Sequence, residues 1–393
     1  MRARNRLLAS LGAVFLFAIA SISSGLDRAG EYRPGLAEWV PALFRVDSAR
    51  VLARKALAEN RPVLAAGEAR LSVVRDPIDA RSLGLYGAGL QLSGKEAGAR
   101  AAFAVSGSLG WREPLTQLYW MSVAFNEGNL RVAALRLDAI LRQAPAYPGR
   151  DQLLAGFEAY PEGRAQLAKR LVDKPAWRDV YFGESFAISP SARILRADVA
   201  RHLAEDEGRR DCPLIGPLLY QLAEAGEYAT AHGVWRQHCR QADDGEFLAD
   251  GGFSRANAVQ PASAFDWAWS DDGALGISIA AVEGFAGMAL TVESNSPRET
   301  GFATQMLVLP PGAYAATWRA RDNAGQVSGD IRLSLSCDKS RPEDRVSTLR
   351  NARTGEWEAL FTVPAGCPAQ WLSLRIAPGI RIVTVDDVGV VRR

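Results

Sequence analysis

The sequence predicts a multi-domain α + β protein: an N-terminal transmembrane helix, a solenoid of paired α-helices, and a C-terminal antiparallel β-sandwich. Three observations carry that expectation. An uncharged stretch of about 20 residues follows three arginines, and the chain matches itself at an offset of about 34 residues. From about residue 246 the apolar period changes from that of helices to the two-residue alternation of strands. With 393 residues, 48% of them hydrophobic and 23% charged, the chain is long enough for two or three domains with real cores. The net charge is +2, and no stretch joins clustered Lys/Arg to stacking aromatics, so nucleic acid is not an expected partner.

The N-terminus comes first. After Arg2, Arg4 and Arg6 the segment from Leu7 to Leu26 carries no charge and, at helical rise, reaches the ~30 Å of a bilayer core. Residues 1–28 therefore read as a membrane anchor. The alternative is a cleaved signal peptide, because Ala18 and Ala20 form a small-x-small site after the apolar run from Leu7 to Phe17. Both readings keep the arginines on the cytoplasmic side and export the remainder. The expected location is the bacterial inner membrane, single-pass, with the bulk of the chain in the periplasm; after cleavage it would be secreted or periplasmic.

Residues 45–245 read as helical repeats. At the 34-residue offset Asn60, Gly94 and Gly128 share a column, Ala65, Ala99 and Ala133 share the one five residues later, and Ala69, Phe103 and Leu137 the one nine later. Gly226, Ala231 and Trp235 match the same columns out of phase, which leaves about 150 to 210 irregular or inserted. The physical sense is that a helical hairpin needs a left-handed residue at its turn, a small one where helices cross closely, and a bulky one to fill the gap to the next hairpin. Period and pattern resemble the tetratricopeptide repeat. This also disposes of a false lead: Gly89 with Gly94-Lys95 imitates a phosphate loop, but Glu96 stands where a hydroxyl should hold magnesium, and the preceding stretch is helical rather than a strand.

Four cysteines suit an oxidising compartment. Cys212 and Cys239 lie at the ends of two antiparallel helices that a hairpin brings together, so a disulfide is expected there. The rival, a metal site with His232 and His238, fails because six residues turn a helix by about 240°. Cys337 and Cys367 are expected to clip a loop to the sandwich.

Residues 246–393 supply the strands. The segments "ADGGFSRANAVQPASAFDWAWS", "LVLPPGAYAATWRAR" and "VDDVGVV" resemble, in order and spacing, the galactose-binding-like jelly roll found in many carbohydrate-binding modules. In members that hold a structural calcium, an acidic residue after the opening Gly-Phe pairs with an aspartate near the closing strand. This chain has Ser254 at the first place and Asp386 and Asp387 at the second, a departure that argues against calcium, so no cofactor is expected.

Alternation sorts the faces. Ile331, Leu333, Leu335 and Cys337 should line the core, as should Leu372, Leu374 and Ile376. The outward positions then hold Arg332, Trp371 and Arg375, and in "TWRAR" Arg319 and Arg321. An outward tryptophan with planar donors and small hydroxyls is what sugar binding needs, so these five residues are the glycan-binding candidates. The competing reading is a solvated face with Trp371 covered by a loop. Phe265, Trp267 and Trp269 are assigned to the core.

A catalytic constellation is not apparent: no Gly-x-Ser-x-Gly elbow occurs, the three histidines all fall in the helical part, and the pairs Asp271–Asp272 and Asp386–Asp387 are sequence neighbours that a strand would point apart. The expectation is a non-enzymatic exported scaffold whose repeats bind envelope proteins and whose sandwich touches polysaccharide. Such a domain pairing resembles accessory proteins of bacterial surface-polysaccharide assembly or export. The alternatives are a pure protein-interaction scaffold and a glycan-processing hydrolase.

Overall fold

The computed structural model describes residues 2–207, 211–255, 263–270, 273–337, 344–345, 348–350 and 356–393. Its first part is helical and its last part consists of antiparallel strands. The helices are α1 (Arg2–Tyr32), α2 (Pro34–Ala37), α3 (Asp47–Ala58), α4 (Pro62–Arg75), α5 (Ala80–Leu92), α6 (Glu96–Ser108), α7 (Pro114–Asn126), α8 (Leu130–Gln143), α9 (Arg150–Glu158), α10 (Pro161–Leu171), α11 (Trp177–Gly183), α12 (Pro190–Glu207), α13 (Cys212–Glu224) and α14 (Tyr228–His238). The chain divides into two compact units, residues 1–157 with 175–177, and residues 158–174 with 178–393. The change from helix to strand falls between His238, where α14 ends, and Ala268, where the first strand begins, whereas the division by compactness leaves α10 to α14 with the strands.

In the first unit the hairpins α3–α4, α5–α6 and α7–α8 share one turn. Asn60, Gly94 and Gly128 sit there with φ of 55°, 75° and 75°, as Gly226 does between α13 and α14 of the second unit at 81°. Each left-handed residue lets the next N–H reach back to the carbonyl five positions earlier: Arg61 to Ala56, Lys95 to Leu90, Asn129 to Ala124, and Glu227 to Leu222, at 2.8–2.9 Å. Beyond the turn, Ala65, Ala99, Ala133 and Ala231 are fully buried, and Ala69, Phe103, Leu137 and Trp235 fill the next inward position. A polar pattern recurs as well. Asp79 caps α5 through Ser82 and Glu113 caps α7 through Thr116, while Ser72 bonds Ser82 at 2.8 Å and Ser106 bonds Thr116 at 2.7 Å.

One segment of α1, Ser10–Tyr32, has the length and mean hydropathy, 1.6, of a membrane span. In the irregular stretch Glu158 and Arg196 form a buried ion pair at 3.1 Å, to which Tyr181 donates its hydroxyl at 2.6 Å. The Arg196 guanidinium also lies over the Tyr181 ring at 4.1 Å.

The strands are β1 (Ala268–Trp269), β2 (Leu275–Ala281), β3 (Met288–Ser294), β4 (Thr300–Leu307), β5 (Gly312–Asp322), β6 (Ile331–Ser336), β7 (Asp344–Arg345), β8 (Thr348–Arg350), β9 (Trp357–Val363), β10 (Gln370–Ile376) and β11 (Arg381–Arg392). They form a five-stranded sheet, β1-β4-β10-β6-β7, and a six-stranded sheet, β2-β3-β11-β5-β9-β8, with every pair antiparallel. Alternate residues from both close one core: Phe302, Leu333, Leu372 and Leu374 from the first sheet; Leu290, Tyr314, Trp318 and Val385 from the second. Gly251 is obligatory where the opening segment crosses the closing strand, since a Cβ there would stand 1.9 Å from the Val388 carbonyl oxygen.

Disulfides join Cys212 to Cys239 and Cys337 to Cys367. Cys337 itself is exposed just beyond the end of β6 rather than lining the core, because the alternation stops with the strand.

Candidate functional site

The outer face of the five-stranded sheet is built by register. Trp371 lies between Met306 and Ser336, Ser373 between Thr304 and Ser334, and Arg375 opposite Arg332, so β4, β10 and β6 lay their outward residues in short rows. Thr304 and Ser373 share a hydrogen bond of 3.2 Å. Glu299, just ahead of β4, accepts from Arg375 Nε at 2.9 Å and from Arg332 at 3.2 Å. The two guanidiniums therefore hold one carboxylate between them.

This face is not open. Ser334, Ser336 and Ser373 are buried and Trp371 is half-buried. The Trp371 ring meets Tyr228, the first residue of α14, edge-on at 5.9 Å and 88°. Phe265, which precedes β1, lies against His232 at 5.3 Å and Trp235 at 5.6 Å, so it joins the same aromatic seam between helices and sheet rather than the interior of the sandwich. Trp267 and Trp269 do turn inward, on Phe253. Partial burial in the seam displaces protonation equilibria. Burial, with Arg236 and Arg240 nearby, takes His232 down to about 4, and burial together with the Asp266 charge pushes Tyr220 of α13 up to about 12.

Arg319 and Arg321 stand apart from this group, on β5 of the other sheet. Arg319 pairs with Asp387 and approaches Glu356, and Arg321 lies over the Phe285 ring at 5.5 Å with its guanidinium against the turn at Gly284. Arg332, Trp371 and Arg375 are thus brought together, while Arg319 and Arg321 are not joined to them. Glu299 and Tyr228 were missed, and His232 was weighed only as a metal ligand. Glu299 lies in a loop whose distance from the arginines only register reveals, and Tyr228 reads as an ordinary helix residue.

The place of the structural calcium can be tested on its donors. Ser254 donates its hydroxyl to Asp250 at 2.9 Å and its N–H to the same carboxylate at 2.7 Å, and the Asp387 carboxylate is engaged by Arg319. Asp386 is fully buried and neither of its oxygens reaches a well-formed hydrogen-bond partner among the described residues. Burial pushes its carboxyl up to about 6, partly offset by the Asp387 N–H and Arg319. One carboxylate does not make the oxygen set that calcium requires, and among the described residues no three metal-ligating side chains converge. The residues do not fit the ion. Asp271 and Asp272 lie outside the described residues.

No protein-family model matches the chain, and no curated protein matches it. Among solved structures it is similar to TmCBM61 in complex with beta-1,4-galactotriose, at 15% identity and a TM-score of 0.26, covering 37% of this chain and 97% of that one. It is also similar to the CBM22-1 xylan-binding domain of Paenibacillus barcinonensis Xyn10C, at 13% identity and 0.28, covering 38% and 96%. A third likeness is to the CBM22-1–GH10 modules of Clostridium thermocellum endo-1,4-beta-D-xylanase 10B complexed with xylohexaose, at 18% and 0.25, covering 32% and 26%. At these TM-scores the likenesses carry no argument about what this chain binds.

Proposed function

We propose that the protein is a membrane-anchored, exported scaffold without enzymatic activity. Its paired helices, read as tetratricopeptide-like repeats, offer a surface to other envelope proteins, and its sandwich is held on α13–α14 by the face that carries Trp371. The observation that carries this reading is the Tyr228–Trp371 contact, with buried serines behind it: an aromatic already engaged within the chain is structural. The recurring left-handed turn and the small-then-large inward columns support the repeat. The two disulfides suit an oxidising compartment, and the apolar segment of α1 suits an anchor in the inner membrane. The setting is surface-polysaccharide assembly or export, on the likeness of the domain pairing.

A second reading, glycan recognition at the same face, is favoured by the Arg332–Glu299–Arg375 group beside Trp371. Affinity electrophoresis through envelope polysaccharides separates the two. The scaffold reading expects no retardation of the wild-type chain, and Trp371→Ala to change stability alone. Retardation that disappears in Trp371→Ala with the fold intact would establish the second reading instead.

A further inference from the structure

The apolar helix does not lead into a linker. α1 runs unbroken to Tyr32, and its last turns bury a stripe at Ser23, Asp27 and Gly30, spaced as one helical face. Asp27 is 5% exposed, and its carboxylate accepts the backbone N–H groups of Val46 and Asp47 at 3.1 Å and of Ser48 at 2.9 Å. Gly30 is there because a Cβ would stand 2.6 Å from the Ser48 hydroxyl and 3.4 Å from the Ala37 Cα. Glu31 adds ion pairs to Arg81 at 3.0 Å and to Arg50 at 4.0 Å.

The same positions recur down the stack. Ser48, Ser82 and Thr116 fall in one column of the repeat, each near the start of the first helix of a hairpin. At Ser82 and Thr116 the helix is capped by the residue immediately before it, Asp79 or Glu113, and the hydroxyl bonds the preceding helix through Ser72 or Ser106. α3 has Val46 at its own cap position, which offers no side-chain acceptor. Its acid comes from α1, and the Ser48 hydroxyl donates to the Asp27 carbonyl oxygen at 3.4 Å. Towards α3, the end of α1 thus partners the column hydroxyl, as α4 does towards α5 and α6 towards α7, and supplies the cap acid in addition.

We infer that α1 is the first element of the helical stack as well as its anchor, so that the membrane helix and the stack form one body without a hinge. This rests on the anchor reading proposed above. It follows that the first hairpin is held at the membrane surface, since Asp27 directly follows the last residue of the uncharged segment.

The test uses the full chain in lipid nanodiscs. Among the described residues every cysteine is in a disulfide, so spin labels can be placed at Ser24→Cys and Arg100→Cys, both exposed positions within this unit. The expected result is one narrow distance distribution that widens at least about twofold on Asp27→Ala, with Asp27→Asn intermediate and unchanged helix content in both. A broad distribution without the Asp27 substitution, or no response to Asp27→Ala, would overturn the inference. The intact mass of the chain extracted from membranes reads the anchor separately: loss of residues 1–20 would remove the anchor reading, and both labels would remain to report the coupling.

Discussion

Two titratable residues, the buried Asp386 and the half-buried His232, set opposite pH dependences. Asp386 has a folded pKa of about 6, above its unfolded value near 3.9, so its contribution is full below about pH 4 and lost as the pH rises through 6. A displacement of about two units corresponds to roughly 3 kcal/mol, which Asp386→Asn should recover in part at pH 7 while flattening the stability curve between pH 4 and 6. Thermal melts across that range check it; a variant as pH-dependent as the wild type would contradict it. His232, at about 4, behaves the other way: its neutral ring contributes above pH 6.5, and that contribution is lost on acidification toward 4. Because the two oppose each other, His232→Phe should remove an acid-side loss that the wild type partly conceals. The sequence offered Asp386 at the second place of a calcium pattern whose first place holds Ser254, and only the fold shows that it is fully buried, close to Gly252, without a well-formed hydrogen-bond partner among the described residues.

At the scale of elements, close helix crossing discriminates between glycines. A Cβ on Gly89 of α5 would lie 2.6 Å from the Ala66 backbone nitrogen, whereas one on Gly67 of α4 meets nothing within 4 Å. Gly89→Ala should cost about 2 kcal/mol or more, and Gly67→Ala should gain up to about 1 kcal/mol from helix propensity, both read by urea denaturation. Equal effects would contradict the packing described for the first hairpins. Those hairpins were legible because turn, crossing and filler residues differ in kind and recur. The stretch from about 150 to 210 was not, because its core holds the Glu158–Arg196–Tyr181 group, and charged side chains score as surface in any apolar pattern. Arg196→Met leaves Glu158 buried without its cation and should cost about 3–5 kcal/mol in the second unit, against near neutrality if the pair were replaced whole.

For the whole molecule, the disulfides close loops of 27 and 30 residues of sequence separation, and reduction of each should lower stability by about 3 kcal/mol. A reduced chain with unchanged urea midpoint would show that the bonds do not bear on the fold. Their pairing was readable from element ends, and so was the passage from helix to strand. What the sequence could not show is the seam between them: Tyr228 and Trp371 each look outward on their own element, and only the fold turns two outward aromatics toward each other. The most direct measurement of that claim is the coupling energy from wild type, Tyr228→Ala, Trp371→Ala and the double variant by urea denaturation. The account predicts non-additivity of about 0.5–1.5 kcal/mol, and additive losses, with Trp371 then free to meet a ligand, would contradict it.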